Sequence, residues 1–152
     1  MKTEESRVES RLRELLPLYK HIDLTIESVS GGVFRCKIPL NEANKNHFGT
    51  VHAALQFAVA EVLGGLVGES LGVLNDQHVG VVKNFEIHFK KPATTDVIAE
   101  TRMPVGDLTA LAERIEADGR VDFDLEAAVT DMNGNTVAVT KGTYAIRPSE
   151  IF

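Results

Sequence analysis

From Asn46 to Leu71 the chain reads NHFGTVHAALQFAVAEVLGGLVGESL, a polar entry closed by a glycine and followed by a long, mostly apolar run. Within residues 51–71, Val51, Leu55, Val59, Val62, Leu63 and Leu66 recur at helical spacing, while Ala53, Ala60, Gly64 and Gly68 make a narrower small-residue stripe beside Phe57. A helix that is apolar nearly all round is buried on most sides, so this stretch is expected to be a central, interior helix. It is not a membrane span, because His52, Gln56, Glu61, Glu69 and Ser70 interrupt it and each would be costly in lipid. Glycine inside a helix costs about 0.5–1 kcal/mol relative to alanine. Gly64, Gly65 and Gly68 therefore point to another backbone or a ligand approaching closely.

Upstream, Thr3 can cap a first helix whose Val8, Leu12, Leu15 and Leu16 recur at helical spacing until Pro17, and residues 1–20 read as a peripheral helix. Residues 22–30 and 33–40 read as a strand pair turned by Gly31-Gly32, and residues 41–50 as a loop. Downstream, residues 78–91 alternate, with Phe85, Ile87 and Phe89 on one face and Asn84, Glu86, His88 and Lys90 on the other. Further strands are expected over 96–103, 108–117 and 120–130, the last two joined by Asp118-Gly119, and Asn133-Gly134 leads into a final strand over 136–147. Hairpin-linked strands around one long helix imply an α+β domain, an antiparallel sheet wrapped around the helix, spanning residues 1–152.

A chain of 152 residues with 43% hydrophobic content has one sizeable core. Its net charge of -6 disfavours nucleic acid, whose binding relies on neutralising phosphates. The lone Cys36 can form neither an intramolecular disulfide nor a cysteine-rich zinc site, and reads as a small core residue. The charged N-terminus has no signal-peptide pattern, and no membrane segment is expected. A cytoplasmic location follows as an expectation.

Glu61 is the charge that needs explaining. Its helical neighbours Phe57, Ala58, Gly64 and Gly65 include no cation, and no Lys or Arg occurs between Thr50 and Val82. A buried carboxylate without a local partner is satisfied by another element, wet, or functional. At the other end of the helix, the first-turn N–H groups and the helix dipole form a site for negative charge. The N–H of Ala53 could stabilise a developing oxyanion. Glu61 lies eight residues further on, roughly 12 Å along the axis. If both ends act on one carbon, helices from two subunits must meet, so a homodimer with the site at its interface is expected.

The segment Asn46 to Gly65 resembles the helix signature of hotdog-fold acyl-CoA thioesterases, particularly the phenylacetate-pathway type and related uncharacterised hotdog proteins. That signature has an Asn, a Gly three residues later, a His followed by two small residues, an aromatic, and an acid nine after the His. Here these are Asn46, Gly49, His52, Ala53, Ala54, Phe57 and Glu61. Residues 81–93 and the ending GTYAIRPS also look like the family's later strands, so the resemblance covers about residues 22–148.

The resemblance implies that Glu61 is the nucleophile or general base at a thioester carbon, that the Ala53 N–H is the oxyanion donor and that Asn46 positions water or substrate. His47, Gly49, His52, Phe57, Asn84 and Lys90 become candidate substrate contacts. Lys90 and Lys91 are candidates for the phosphates of coenzyme A, which enters as part of the substrate, and neither a separate cofactor nor a metal is implied. The assembly implied is a homodimer or a dimer of dimers. Two other readings stay open: a hotdog that binds an acyl group or coenzyme A without turnover, and a hydratase or dehydratase pairing His47 with Glu61.

Overall fold

A computed structural model describes all 152 residues, Met1–Phe152. The Thr3 hydroxyl accepts from the Ser6 N–H and caps α1 (Glu4–Leu15). The first helix ends just before Pro17, as the sequence predicts, and Pro17 also opens a second short helix, α2 (Pro17–His21), where its missing N–H costs nothing. A hairpin of β1 (Thr25–Ser28) and β2 (Val33–Ile38) follows, its turn using Gly31 and Gly32 at positive φ, as the sequence predicts.

The central helix starts at Ala53 and is parted at Val62 into α3 (Ala53–Glu61) and α4 (Leu63–Ser70). After it come β3 (His78–Phe89), β4 (Val97–Arg102), α5 (Val105–Asp118), β5 (Val121–Asp131) and β6 (Thr136–Pro148). The six strands form one sheet in the order β1-β2-β4-β5-β6-β3, every neighbouring pair antiparallel. Val59, Leu63, Leu66 and Val67 of the helix are buried in one core with Phe34, Ile38, Val97 and Val129 of the sheet. This is the hotdog arrangement of sheet around helix. No helix is long and apolar enough to cross a membrane.

One expectation needs correction. Residues 108–117 are helical, not a strand: Pro104 precedes the first turn, Leu111 and Ile115 bury one face, and Gly119 closes the helix in the left-handed conformation at φ 71. Asp118-Gly119, read as a hairpin turn, is thus a helix C-terminus, and β4 and β5 pair directly across the intervening α5. The first helix lies at the periphery and is tied to the rest by polar contacts. Although α1 buries no residue fully, Arg13 donates to the Leu24 carbonyl, the Ile26 N–H donates to Glu9, and Tyr19 of α2 is buried in the core.

The glycines of α4 are not equivalent. A Cβ on Gly64 would lie 2.1 Å from the Tyr144 ring, whereas one on Gly65 would meet nothing within 4 Å. We expect Gly64→Ala to lose about 1–3 kcal/mol through overpacking, and Gly65→Ala to be neutral or to gain up to about 1 kcal/mol from helix propensity. Urea unfolding of both variants checks this; equal effects would contradict the packing described.

Candidate active site

Glu61 is the last residue of α3, at the break in the central helix, where the Tyr144 hydroxyl donates to its backbone carbonyl at 3.0 Å. Its side chain is half-buried, and one oxygen, Oε2, accepts from the Tyr19 hydroxyl at 3.3 Å. No cation touches it. Burial pushes the Glu61 carboxyl above its ordinary range, and the Tyr19 hydrogen bond pulls it only partway back. Burial, reinforced by the nearby carboxylate, also drives the Tyr19 and Tyr144 hydroxyls upward, so both remain protonated donors.

Glu61 borders a cavity of about 460 Å³. Leu12, Leu15 and Leu16 of α1 and the turn after it form one wall, Gly65 and Gly68 of α4 a second, and Val79 and Val81 of β3 part of a third. Glu69, also on this cavity, is handled differently: Arg11 lies 3.5 Å away and offsets part of the upward shift that burial causes. Glu61 is the acid left with a neutral partner.

The start of α3 lies on a separate, open groove of about 600 Å³, bordered by Asn46, Ala53, Gln56, Phe89, Lys90 and Lys91. Asn46 organises the loop feeding the helix: its Oδ1 accepts from the Phe48 and Thr50 N–H groups, and its Nδ2 donates to the Thr50 hydroxyl at 2.8 Å. One amide hydrogen of Asn46 remains free for a ligand. Gly49, at φ 79, makes the turn of that loop. His52 is the N-cap residue, its Nδ1 accepting from the Ala54 N–H at 3.0 Å, which accounts for its place in the signature. The Ala53 N–H, one residue earlier, has no acceptor within the chain.

The remaining candidates are scattered. His47 lies tilted against Phe48 in the exposed loop, ring centroids 3.9 Å apart, Phe57 packs on Phe85 at 4.4 Å, and Asn84 is exposed midway along β3. Cys36 is buried, its thiol donating to the Val59 carbonyl. Within one protomer, then, the helix-start donors and the Glu61 carboxylate occupy different clefts. Sequence reasoning missed Tyr19, Tyr144 and Gln56. Gln56 could have been noticed as the uncharged amide on an apolar helix; it is buried, and its Oε1 has no partner. Tyr19 carries no signal, because its contact to Glu61 spans 42 positions.

A family profile described as "Domain of unknown function (DUF4442)" matches residues 5–146. No curated protein sequence matches the chain. Among solved structures, a Pseudomonas aeruginosa protein of unknown function, called a probable thioesterase, is 25% identical over 93% of this chain and 95% of its own, with a TM-score of 0.75. A Haemophilus influenzae thioesterase is 12% identical over 97% of this chain and 93% of its own, with a TM-score of 0.74. A Staphylococcus aureus thioesterase is 14% identical over 87% of this chain and 99% of its own, with a TM-score of 0.66. That protein was solved with a glutamine replaced by alanine and, separately, with a glutamate fifteen positions later replaced by alanine.

A carboxyl whose pKa is raised by folding stabilises the fold only while protonated, so its contribution is lost as pH rises from the ordinary glutamate value of 4.5 through the folded one. Glu61→Gln keeps an acceptor for Tyr19 and does not ionise. At pH 8 we expect it to melt about 2–4 °C above the wild type, equivalent to about 1 kcal/mol for a chain of this size. The gain should vanish below pH 4.5; calorimetry across pH reads it, and a lower melting temperature at pH 8 would contradict the charge burial.

Proposed function

The chain belongs to the DUF4442 family, and we propose that it is a thioester hydrolase acting on acyl-CoA or acyl-carrier thioesters, with Glu61 as the working carboxylate. The observation that carries this reading is a half-buried carboxylate, free of any cation, beside a largely apolar cavity of about 460 Å³ on a helix whose start offers an unengaged N–H. The probable-thioesterase relative at 25% identity supports it. So does the spacing of Asn46 and Glu61, fifteen positions apart like the glutamine and glutamate replaced in the Staphylococcus aureus thioesterase.

The reaction is R–CO–S–R′ plus water giving R–COOH and HS–R′. Glu61 in its ionised form either attacks the thioester carbon or takes the proton of the attacking water. Both routes put negative charge on the thioester oxygen, where the Ala53 N–H, aided by the helix dipole, stabilises it. The acyl group occupies the cavity beside Gly65, and the exposed Lys90 and Lys91 are the cations available to the phosphates of coenzyme A.

This chemistry requires two copies of the chain, because Ala53 and Glu61 of one helix stand roughly 12 Å apart. β3 is one of the two edge strands of the sheet, β1 being the other, and it carries exposed Val82 and Phe89. Residues 79–82 of β3 border the Glu61 cavity, and Phe89 and Lys90 border the helix-start groove. Antiparallel pairing of two β3 edges about a two-fold axis near Asn84 sets the first half of one strand against the second half of the other. Each Glu61 cavity then adjoins the other protomer's helix start.

Free-thiol release from a panel of short, medium, long and aromatic acyl-CoA esters tests the reading. Wild type is expected to turn over at least one, and Glu61→Gln to lose about 10²–10⁴-fold in kcat; undiminished hydrolysis by that variant sinks it. Ala53→Pro removes the proposed donor at the first helical position, where proline is tolerated and the extended His52 (ψ 136) accommodates it. It should cost about 10²–10³-fold. Co-folding Glu61→Gln with Ala53→Pro is expected to restore about a quarter of wild-type activity, since half of randomly formed symmetric dimers are mixed and each has one intact site. No recovery would exclude a site shared between protomers.

A further inference from the structure

Tyr19 reaches Glu61 from α2, an element outside the sheet and the central helix, with its ring in the core. It sits on α2, its position fixed by Pro17 at the start of that helix and by burial of its ring at 6% exposure. Its hydroxyl donates to Oε2 of Glu61 at 3.3 Å, while the other oxygen, Oε1, has no partner in the chain. A glutamate side chain at a helix end has several rotatable bonds and samples many positions unless something holds it. Here one oxygen is held and the other is left open.

We propose that Tyr19 is a positioning residue for Glu61: its hydroxyl holds Oε2 and leaves Oε1 free to face the cavity. The inference rests on the reading of Glu61 as the working carboxylate. It makes the N-terminal hairpin of α1 and α2 part of the site, Tyr19 setting the carboxylate and Leu12, Leu15 and Leu16 forming the adjoining wall.

The groups around Glu61 leave Tyr19 as the one that tunes it. From β6, Tyr144 donates to the Glu61 backbone carbonyl, not to its carboxylate. From β2, the Cys36 thiol is buried and donates to the Val59 carbonyl. Arg11 of α1 is taken up by Glu69 of α4 and by the Leu74 carbonyl. Asp76 and His78 border the same cavity without touching the Glu61 carboxylate. With burial opposing ionisation, the Tyr19 hydrogen bond is the one contact that favours the charged form.

Tyr19→Phe removes the hydroxyl and keeps the ring. The experiment measures the pH profile of thioester hydrolysis and, independently of any activity, titrates the Glu61 side-chain carboxyl by carbon NMR, its signal assigned by its absence in Glu61→Gln. The expected result is an acidic limb and an NMR midpoint both displaced to higher pH, with kcat at neutral pH falling about tenfold, the size of a lost hydrogen bond to a charged group. Tyr144→Phe, which removes a hydroxyl from the carbonyl instead, should leave the NMR midpoint in place. An unmoved midpoint in Tyr19→Phe, or an equal displacement in both variants, overturns the proposal. A midpoint that moves in a protein hydrolysing none of the thioesters supports the role of Tyr19 while removing the hydrolase reading. Should Tyr19→Phe fail to fold, Tyr19→His, which can still donate a hydrogen bond, is titrated instead: a midpoint at or below that of folded wild type counts for the proposal, and one displaced to higher pH counts against it.

Discussion

The contact between the Tyr144 ring and the backbone of Gly64 sets the geometry on which the rest depends. The ring fills the space a side chain at 64 would need, stacks on Phe123 at 5.5 Å, and is also approached by Gly142, where a Cβ would lie 2.9 Å from it. Two glycines, one on the helix and one on β6, thus make room for one aromatic. The ring brings helix and sheet together at the turn where α3 gives way to α4, and its hydroxyl reaches the Glu61 carbonyl. The carboxylate is held at that turn because the backbone carrying it is held. Close packing makes such an arrangement nearly all-or-none, since a methyl group added at Gly64 has nowhere to go.

Charge singles out Glu61 from the other acids. Glu100 is drawn below its ordinary range by Arg35, and Asp122 by Lys83 and Arg147, as expected of carboxylates given cationic partners. Even Glu69, in the same cavity as Glu61, has Arg11. Glu61 alone combines burial with a neutral hydroxyl, which orients a carboxylate without neutralising it. A guanidinium in that place would lower basicity and nucleophilicity, whereas a tyrosine hydroxyl leaves much of both. Such an arrangement costs stability, which is the usual mark of a group kept for chemistry rather than for folding.

The hotdog arrangement was legible because its determinants are local in sequence: an apolar helix that must be interior, alternating runs, and turn pairs such as Gly31-Gly32 and Asn133-Gly134. The reading failed over residues 108–117 where two local signals compete. Leu108, Leu111 and Ile115 carry a helical period, but the short run and the Asp-Gly pair after it also satisfy a strand and hairpin. Spacing along the helix was also legible, with Ala53 in the first turn and Glu61 eight residues on, but the sequence reading was one helix over 51–71, and the break at Val62 that leaves Glu61 at the end of α3 was not legible. What no spacing rule reveals is which distant residue answers a buried charge. Tyr19 does so from the far side of β1 and β2 in sequence, and nothing in PLYKH marks it.

The division of the site into two clefts follows from the stiffness of the helix. Ala53 and Glu61 belong to one hydrogen-bonded element, so no loop motion can bring the donor at one end to the carboxylate at the other. The Glu61 cavity is bordered on the N-terminal side by α1 and the start of α2, which are tied to β1 and the residue before it by Glu9 and Arg13. Of the two edge strands, β3 is the one whose halves border the two clefts in turn. If the proposed pairing of Glu61 with the Ala53 N–H holds, a two-fold axis across that edge is the simplest operation that joins the two clefts, and it does so twice at once. The same operation covers Val82 and Phe89, apolar side chains otherwise left in water on a free sheet edge. On the proposed hydrolase reading, completion of the site and burial of the exposed edge thus call for the same partner, a second copy of the chain.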